Sequence, residues 1–124
     1  MNAATILLRQ AHPKFIEGNL PTSQVFQPNS YDGGKMSVYD GDQVSPNESY
    51  IHYTKVLNMQ SHSVWAVTKG EADSEGVPGG ADFLPDFPSH AKIDFPALPE
   101  KSWRKVAKRL KVLAISRGCQ YLPA

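Results

Sequence analysis

Lys101-Ser102-Trp103-Arg104-Lys105-Val106-Ala107-Lys108-Arg109-Leu110-Lys111-Val112-Leu113-Ala114-Ile115-Ser116-Arg117 decides the fold. Trp103, Val106, Ala107, Leu110, Leu113 and Ala114 fall at i, i+3, i+4, i+7, i+10 and i+11, the spacing of one helix face. Glu100 or Ser102 can cap the start, and Gly118 stands where a left-handed C-cap residue belongs. The spacing predicts a helix over about 101–117. It buries Trp103, Val106, Leu110 and Leu113 and leaves Lys101, Lys105, Lys108 and Lys111 in solvent. Such a helix needs an apolar surface beneath it.

The preceding chain supplies strands for that surface. Ser63-Val64-Trp65-Ala66-Val67-Thr68 is β-branched and aromatic, and Ala91-Lys92-Ile93-Asp94-Phe95 alternates. Thr22-Ser23-Gln24-Val25-Phe26 and Met36-Ser37-Val38-Tyr39 read as a hairpin, turned through Asn29–Lys35 with its Asp32-Gly33-Gly34. Ala3–Leu8 is short enough for a buried strand ahead of the His12-Pro13 break, although its Ala and Leu content leaves a helix open. Phe15 and Ile16 form a docked turn, and Cys119–Leu122 is a candidate terminal strand. Ser45-Pro46-Asn47-Glu48 has the pattern of a capping box and starts a second helix running to about Leu57. From 70 to about 90 the chain is acidic and Gly/Pro-rich, either a short helix at Glu71–Glu75 with a loop or a lid. No regular βαβ rhythm appears. The expectation is one α+β domain over 1–124, with a mostly antiparallel sheet and two main helices at about 45–57 and 101–117.

Composition narrows the function. The 124 residues hold one cysteine, so neither an internal disulfide nor a Cys-rich metal site is available. His12, His52, His62 and His90 lack the spacing that presents two ligands on one helix face, so no metal is expected. No apolar run reaches membrane-spanning length and no secretory leader is visible, which points to a cytoplasmic protein away from membranes. Phosphate loops, dinucleotide fingerprints and nucleophile elbows are missing. The net charge of +1 conceals a division: residues 1–99 carry six Lys/Arg and eleven Asp/Glu, residues 100–124 seven Lys/Arg and one Glu. The basic end is Lys101, Arg104, Lys105, Lys108, Arg109, Lys111 and Arg117. A surface divided this way suits the steering of a charged partner. The leading expectation is an interaction or accessory module with a protein partner, binding through Lys101, Arg104, Lys105, Lys108 and Lys111, with the acidic Glu71–Asp86 segment as a second contact surface. Nucleic acid on the same helix is an alternative.

A constellation in the first half supplies another alternative. Leu7-Leu8-Arg9, His12-Pro13, Thr22-Ser23-Gln24-Val25-Phe26, Ser37-Val38-Tyr39-Asp40-Gly41-Asp42, Ala66-Val67-Thr68 and His90-Ala91-Lys92-Ile93-Asp94-Phe95 together resemble a group of small bacterial proteins with no assigned activity. More remotely, this order of elements is similar to the RES and ADP-ribosyltransferase-like fold. That resemblance implies an NAD-consuming or ADP-ribosyl-transferring enzyme, with Arg9 on the phosphates or ribose of an NAD pocket and Ser23, Tyr39 and His52 around the dinucleotide. An Arg guanidinium suits a pyrophosphate because it binds two oxygens at once. The chain departs from the family pattern at the late glutamate. Glu48 belongs to a helix cap, and Glu71 and Glu75 lie in the acidic segment.

Overall fold

The chain runs through seven strands and three α-helices in the computed structural model, which describes residues 1–28 and 33–124. In order they are β1 (Ile6–Ala11), β2 (Ile16–Glu17), β3 (Leu20–Pro21), β4 (Lys35–Asp40), α1 (Pro46–Ile51) and β5 (Ser63–Thr68). They are followed by α2 (Lys69–Ser74), β6 (Gly79–Ala81), β7 (His90–Asp94) and α3 (Trp103–Arg117). Five strands form an antiparallel sheet in the order β5-β1-β4-β7-β6, and β2 pairs with β3 apart from it. This is an α+β fold.

Strand alternation gives the sheet two covered faces. Leu7, Met36, Val38, Trp65, Val67, Ala91 and Ile93 cluster with Val106, Ala107, Leu110 and Ala114 of α3. Leu8, Tyr39, Val64 and Ala66 form a second cluster under Tyr50, Tyr53, Phe87 and Tyr121. Val106 and Leu110 are fully buried as the stripe requires, whereas Trp103 and Leu113 are only partly covered. Lys101, Lys105 and Lys108 stand in solvent, but Lys111 is half-buried. A 3₁₀ turn at Glu100–Ser102 leads into α3, and the Ser102 side chain makes no cap bond. Gly118 has a positive φ of 100° with an extended ψ of 162°, so it ends the helix without entering the left-handed helical region.

The other expectations fared unevenly. The Ser45 cap is present: Glu48 N–H donates to Ser45 Oγ at 3.1 Å, and Ser45 N–H donates to Glu48 Oε1 at 2.8 Å. That hydrogen bonding holds the Glu48 carboxyl below its ordinary range. The helix is α only to Ile51, and His52–Val56 widens into a π turn closed by Leu57 N–H on His52 O. Thr22–Phe26 is not a strand, and its hairpin with β4 does not form. Ser23–Phe26 is a 3₁₀ turn, because Val25 and Phe26 are neighbours that both reach the α3 side of the core. A strand would send them to opposite faces. β4 pairs instead with β1 and β7. The expected turn over 29–32 lies outside the described residues, while Gly33 and Gly34 have φ of 60° and 84°.

The first strand begins at Ile6, after a turn in which Thr5 N–H donates to Asn2 O. The acidic segment is not one long loop. Thr68 and Glu71 form a second capping box at the head of α2, and Gly79–Ala81 adds an edge strand. Cys119–Leu122 makes only an isolated bridge between Tyr121 and Val64. No helix among the described residues is long and apolar enough to cross a membrane.

Candidate functional site

Among the concave sites of the described residues, two on opposite sides of the sheet hold residues singled out in the sequence. The first is a cleft of about 480 Å³ where β1 and β4 part. Their register holds only for Leu7–Asp40 and Leu8–Tyr39, whereas β1 continues along β5 to Ala11 and β4 along β7 to Lys35. Arg9 spans the opening, its Nε donating to Val25 O and its Nη1 to Ser37 O, both at 2.8 Å. The guanidinium therefore ties β1 to β4 where the ladder stops.

The cleft wall is aromatic. Phe87 packs against Tyr39, His52 and His90, with ring centroids 5.0, 4.4 and 5.0 Å away. Tyr39 Oη and His52 Nδ1 share a 2.7 Å hydrogen bond. Burial, reinforced by Tyr53, pushes the Tyr39 phenol far above its usual range, so its proton stays in place. The π turn carries His52 and Tyr53 toward the sheet, and Leu57, Met59 and Leu84 form an exposed apolar mouth. His90 faces Tyr39 across the β4–β7 register and sits 3.2 Å from Ser37 Oγ. No Asp or Glu lines this cleft among the described residues.

The second site is a groove of about 590 Å³ between α3 and the β2–β3 hairpin with its following 3₁₀ turn. Arg104, Lys108 and Lys111 line it from α3, and Glu17 from β2. Ser23, Gln24 and Gln27 add hydroxyl and amide groups over an aliphatic base of Leu20, Pro21 and Ile115. Thr22 Oγ1 is buried there without a hydrogen-bond partner. Lys105 faces a shallower hollow with Glu75, Arg109 and Val112, and Lys101 lines neither.

The cations of α3 divide by what they meet. Arg109 pairs with Glu75 at 3.2 Å and Arg117 with Glu71 at 2.9 Å, while Arg117 Nη1 also donates to Ala66 O at 3.0 Å. On α2 itself, Lys69 pairs with Asp73. Glu71 is covered enough that burial works to raise its carboxyl, yet the bonds from Arg117 and Thr68 prevail and hold it low. Asp73 is held low chiefly by Lys69. Lys101, Arg104, Lys105, Lys108 and Lys111 form no ion pair among the described residues.

Searches against known protein families, curated proteins and solved structures found no match. Of the residues singled out for a dinucleotide, Arg9 and Tyr39 line one cleft and His52 stands directly behind Tyr39. Ser23 lines the groove instead, because its turn folds under α3. His90 and Phe87 were missed in the sequence. Tyr39–His90 pairing was the available signal for His90, but it requires knowing that β7 neighbours β4. Glu17, Gln24 and Gln27 gave no sequence signal at all.

Proposed function

We propose that this chain is a cytoplasmic interaction module that holds an acidic segment of a protein partner on the cationic face of α3. The sorting of charge along that helix carries the reading. The two arginines within reach of α2 are paired, whereas Arg104, Lys108 and Lys111 line one groove and Lys101 and Lys105 stand in solvent on the same helix. The acidic stretch is a weaker candidate surface, since Glu71, Asp73 and Glu75 are already engaged within the fold. A protein segment is favoured over a single-stranded nucleic acid because, among the described residues, no aromatic ring lines the groove for base stacking. Fluorescence anisotropy with a labelled Glu/Asp-rich peptide tests the reading. Binding should weaken with added salt and be lost when Lys101, Arg104, Lys105, Lys108 and Lys111 are changed to Gln. Equal binding by that variant, or tighter binding of an oligonucleotide of equal charge, removes it.

A second reading rests on the cleft. Arg9 and Tyr39 lining one cleft, with His52 hydrogen-bonded to Tyr39 behind it, support binding of a dinucleotide such as NAD by an NAD-consuming or ADP-ribosyl-transferring enzyme. Ligand at 100 times its dissociation constant raises stability by roughly 2.7 kcal/mol. A thermal melt that does not move in millimolar NAD excludes it.

A further inference from the structure

We propose that the groove between α3 and the Ser23–Phe26 turn is a phosphate site, which receives a phosphomonoester carried by the protein partner. The inference rests on the acidic-partner reading and narrows it to one chemical group. Three bases and one carboxylate give the lining a net charge of +2. A single side-chain carboxylate neutralises half of that, while a phosphomonoester, close to a dianion at neutral pH, neutralises all of it.

Arg104, Lys108 and Lys111 stand at i, i+4 and i+7, so all three point from one stripe of α3. A planar guanidinium can take two oxygens of one anion, and two ammonium groups then serve the third as mobile point charges. Ser23, Gln24 and Gln27 bring neutral donors from the opposite wall. Thr22 backs the same wall, but its unpartnered hydroxyl oxygen is buried out of reach of the groove and adds no donor to a bound anion. Glu17 repels any anion in the same space, so binding there depends on the three bases outweighing it. The aliphatic base of Leu20, Pro21 and Ile115 can accept the carbon chain that carries the phosphate.

NMR titration of the intact chain with inorganic phosphate, O-phosphoserine, succinate and AMP tests the site. Phosphate and O-phosphoserine should shift the amides around Thr22–Gln27 and Arg104–Lys111 saturably. Succinate, of similar charge but different shape, should bind at least about tenfold more weakly. Changing Arg104, Lys108 and Lys111 to Gln should weaken O-phosphoserine binding by about tenfold or more, as expected when charged hydrogen bonds are lost. Lys35→Gln with Lys55→Gln removes two exposed charges away from α3 and the groove, and should change binding less than about twofold. If the triple variant melts early, Lys108→Gln and Lys111→Gln singly carry the comparison.

Equal binding of succinate, or equal loss in the control variant, overturns the phosphate site. AMP binding more tightly than O-phosphoserine overturns the assignment to a protein partner. An unphosphorylated acidic peptide that still binds α3 in those cases leaves the broader reading intact. Absence of binding by both phosphate and acidic peptide removes both.

Discussion

Thr22 and Glu71 are residues at which one polar group sets a measurable quantity. Thr22 Oγ1 is buried without a partner, a state whose desolvation penalty is about 1–3 kcal/mol. Thr22→Val keeps the branched shape and deletes the hydroxyl, so the ligand-free protein should gain about 1 kcal/mol of stability. A thermal melt reads this directly, and a loss of similar size means that the hydroxyl has a partner. Glu71 behaves in the opposite sense. Its carboxyl is held below the ordinary value of 4.5, so it contributes stability in full above that pH. The contribution is lost as pH falls through the lower folded-state value, because the proton binds the unfolded chain more readily. Glu71→Gln keeps an acceptor for the cap but removes the charge facing Arg117. It should cost up to about 1 kcal/mol at neutral pH, the scale of a partly exposed pair. The gap between the two proteins should close below pH 4.5. A gap that persists in acid would show that the charge is not its source.

At the scale of an element, α3 separates packing from charge. Leu110 is fully buried between helix and sheet, so Leu110→Ala should cost about 2–5 kcal/mol. Lys108 is exposed two positions away, and Lys108→Ala should change stability by no more than about 0.5 kcal/mol. Paired urea melts compare them, and equal costs would make the cationic face an internal interface. The same element shows what was legible in the sequence. Its period and the Ser45–Glu48 cap are local patterns, so residues close in sequence were enough to read them. Thr68–Glu71 has the same capping spacing, but Gly70 and the acidic run obscured it. Thr22–Phe26 misled because the order of polar and apolar residues is compatible with a strand. Only the presence of α3 above Val25 and Phe26 makes a 3₁₀ turn the better solution. Both concave sites were illegible for a related reason. The cleft arises where two strands stop pairing, and the groove where a hairpin folds against a helix distant in sequence.

Across the whole molecule, the acidic bulk and the basic terminus partly neutralise each other inside the fold. Arg109 and Arg117 meet Glu75 and Glu71, and Arg117 also closes on the β5 main chain. These two bases therefore belong to the structure, and Lys105 and Lys108 belong to the free surface. The proposed module predicts a crossed result when the two pairs are neutralised separately. Arg109→Gln with Arg117→Gln should cost about 1–2 kcal/mol, one partly exposed pair plus a better covered one with a main-chain bond. Its affinity for an acidic peptide should change little beyond the general loss of field. Lys105→Gln with Lys108→Gln should leave the urea midpoint nearly unchanged and weaken the peptide by about fivefold or more, with a shallower salt dependence. Measuring both variants by both assays supplies the test, because each serves as the control for the other. If the arginine pair loses the peptide while the lysine pair keeps it, the partner lies over α2. The α3 face then loses its assigned role, and the lysines become an ordinary solvated surface.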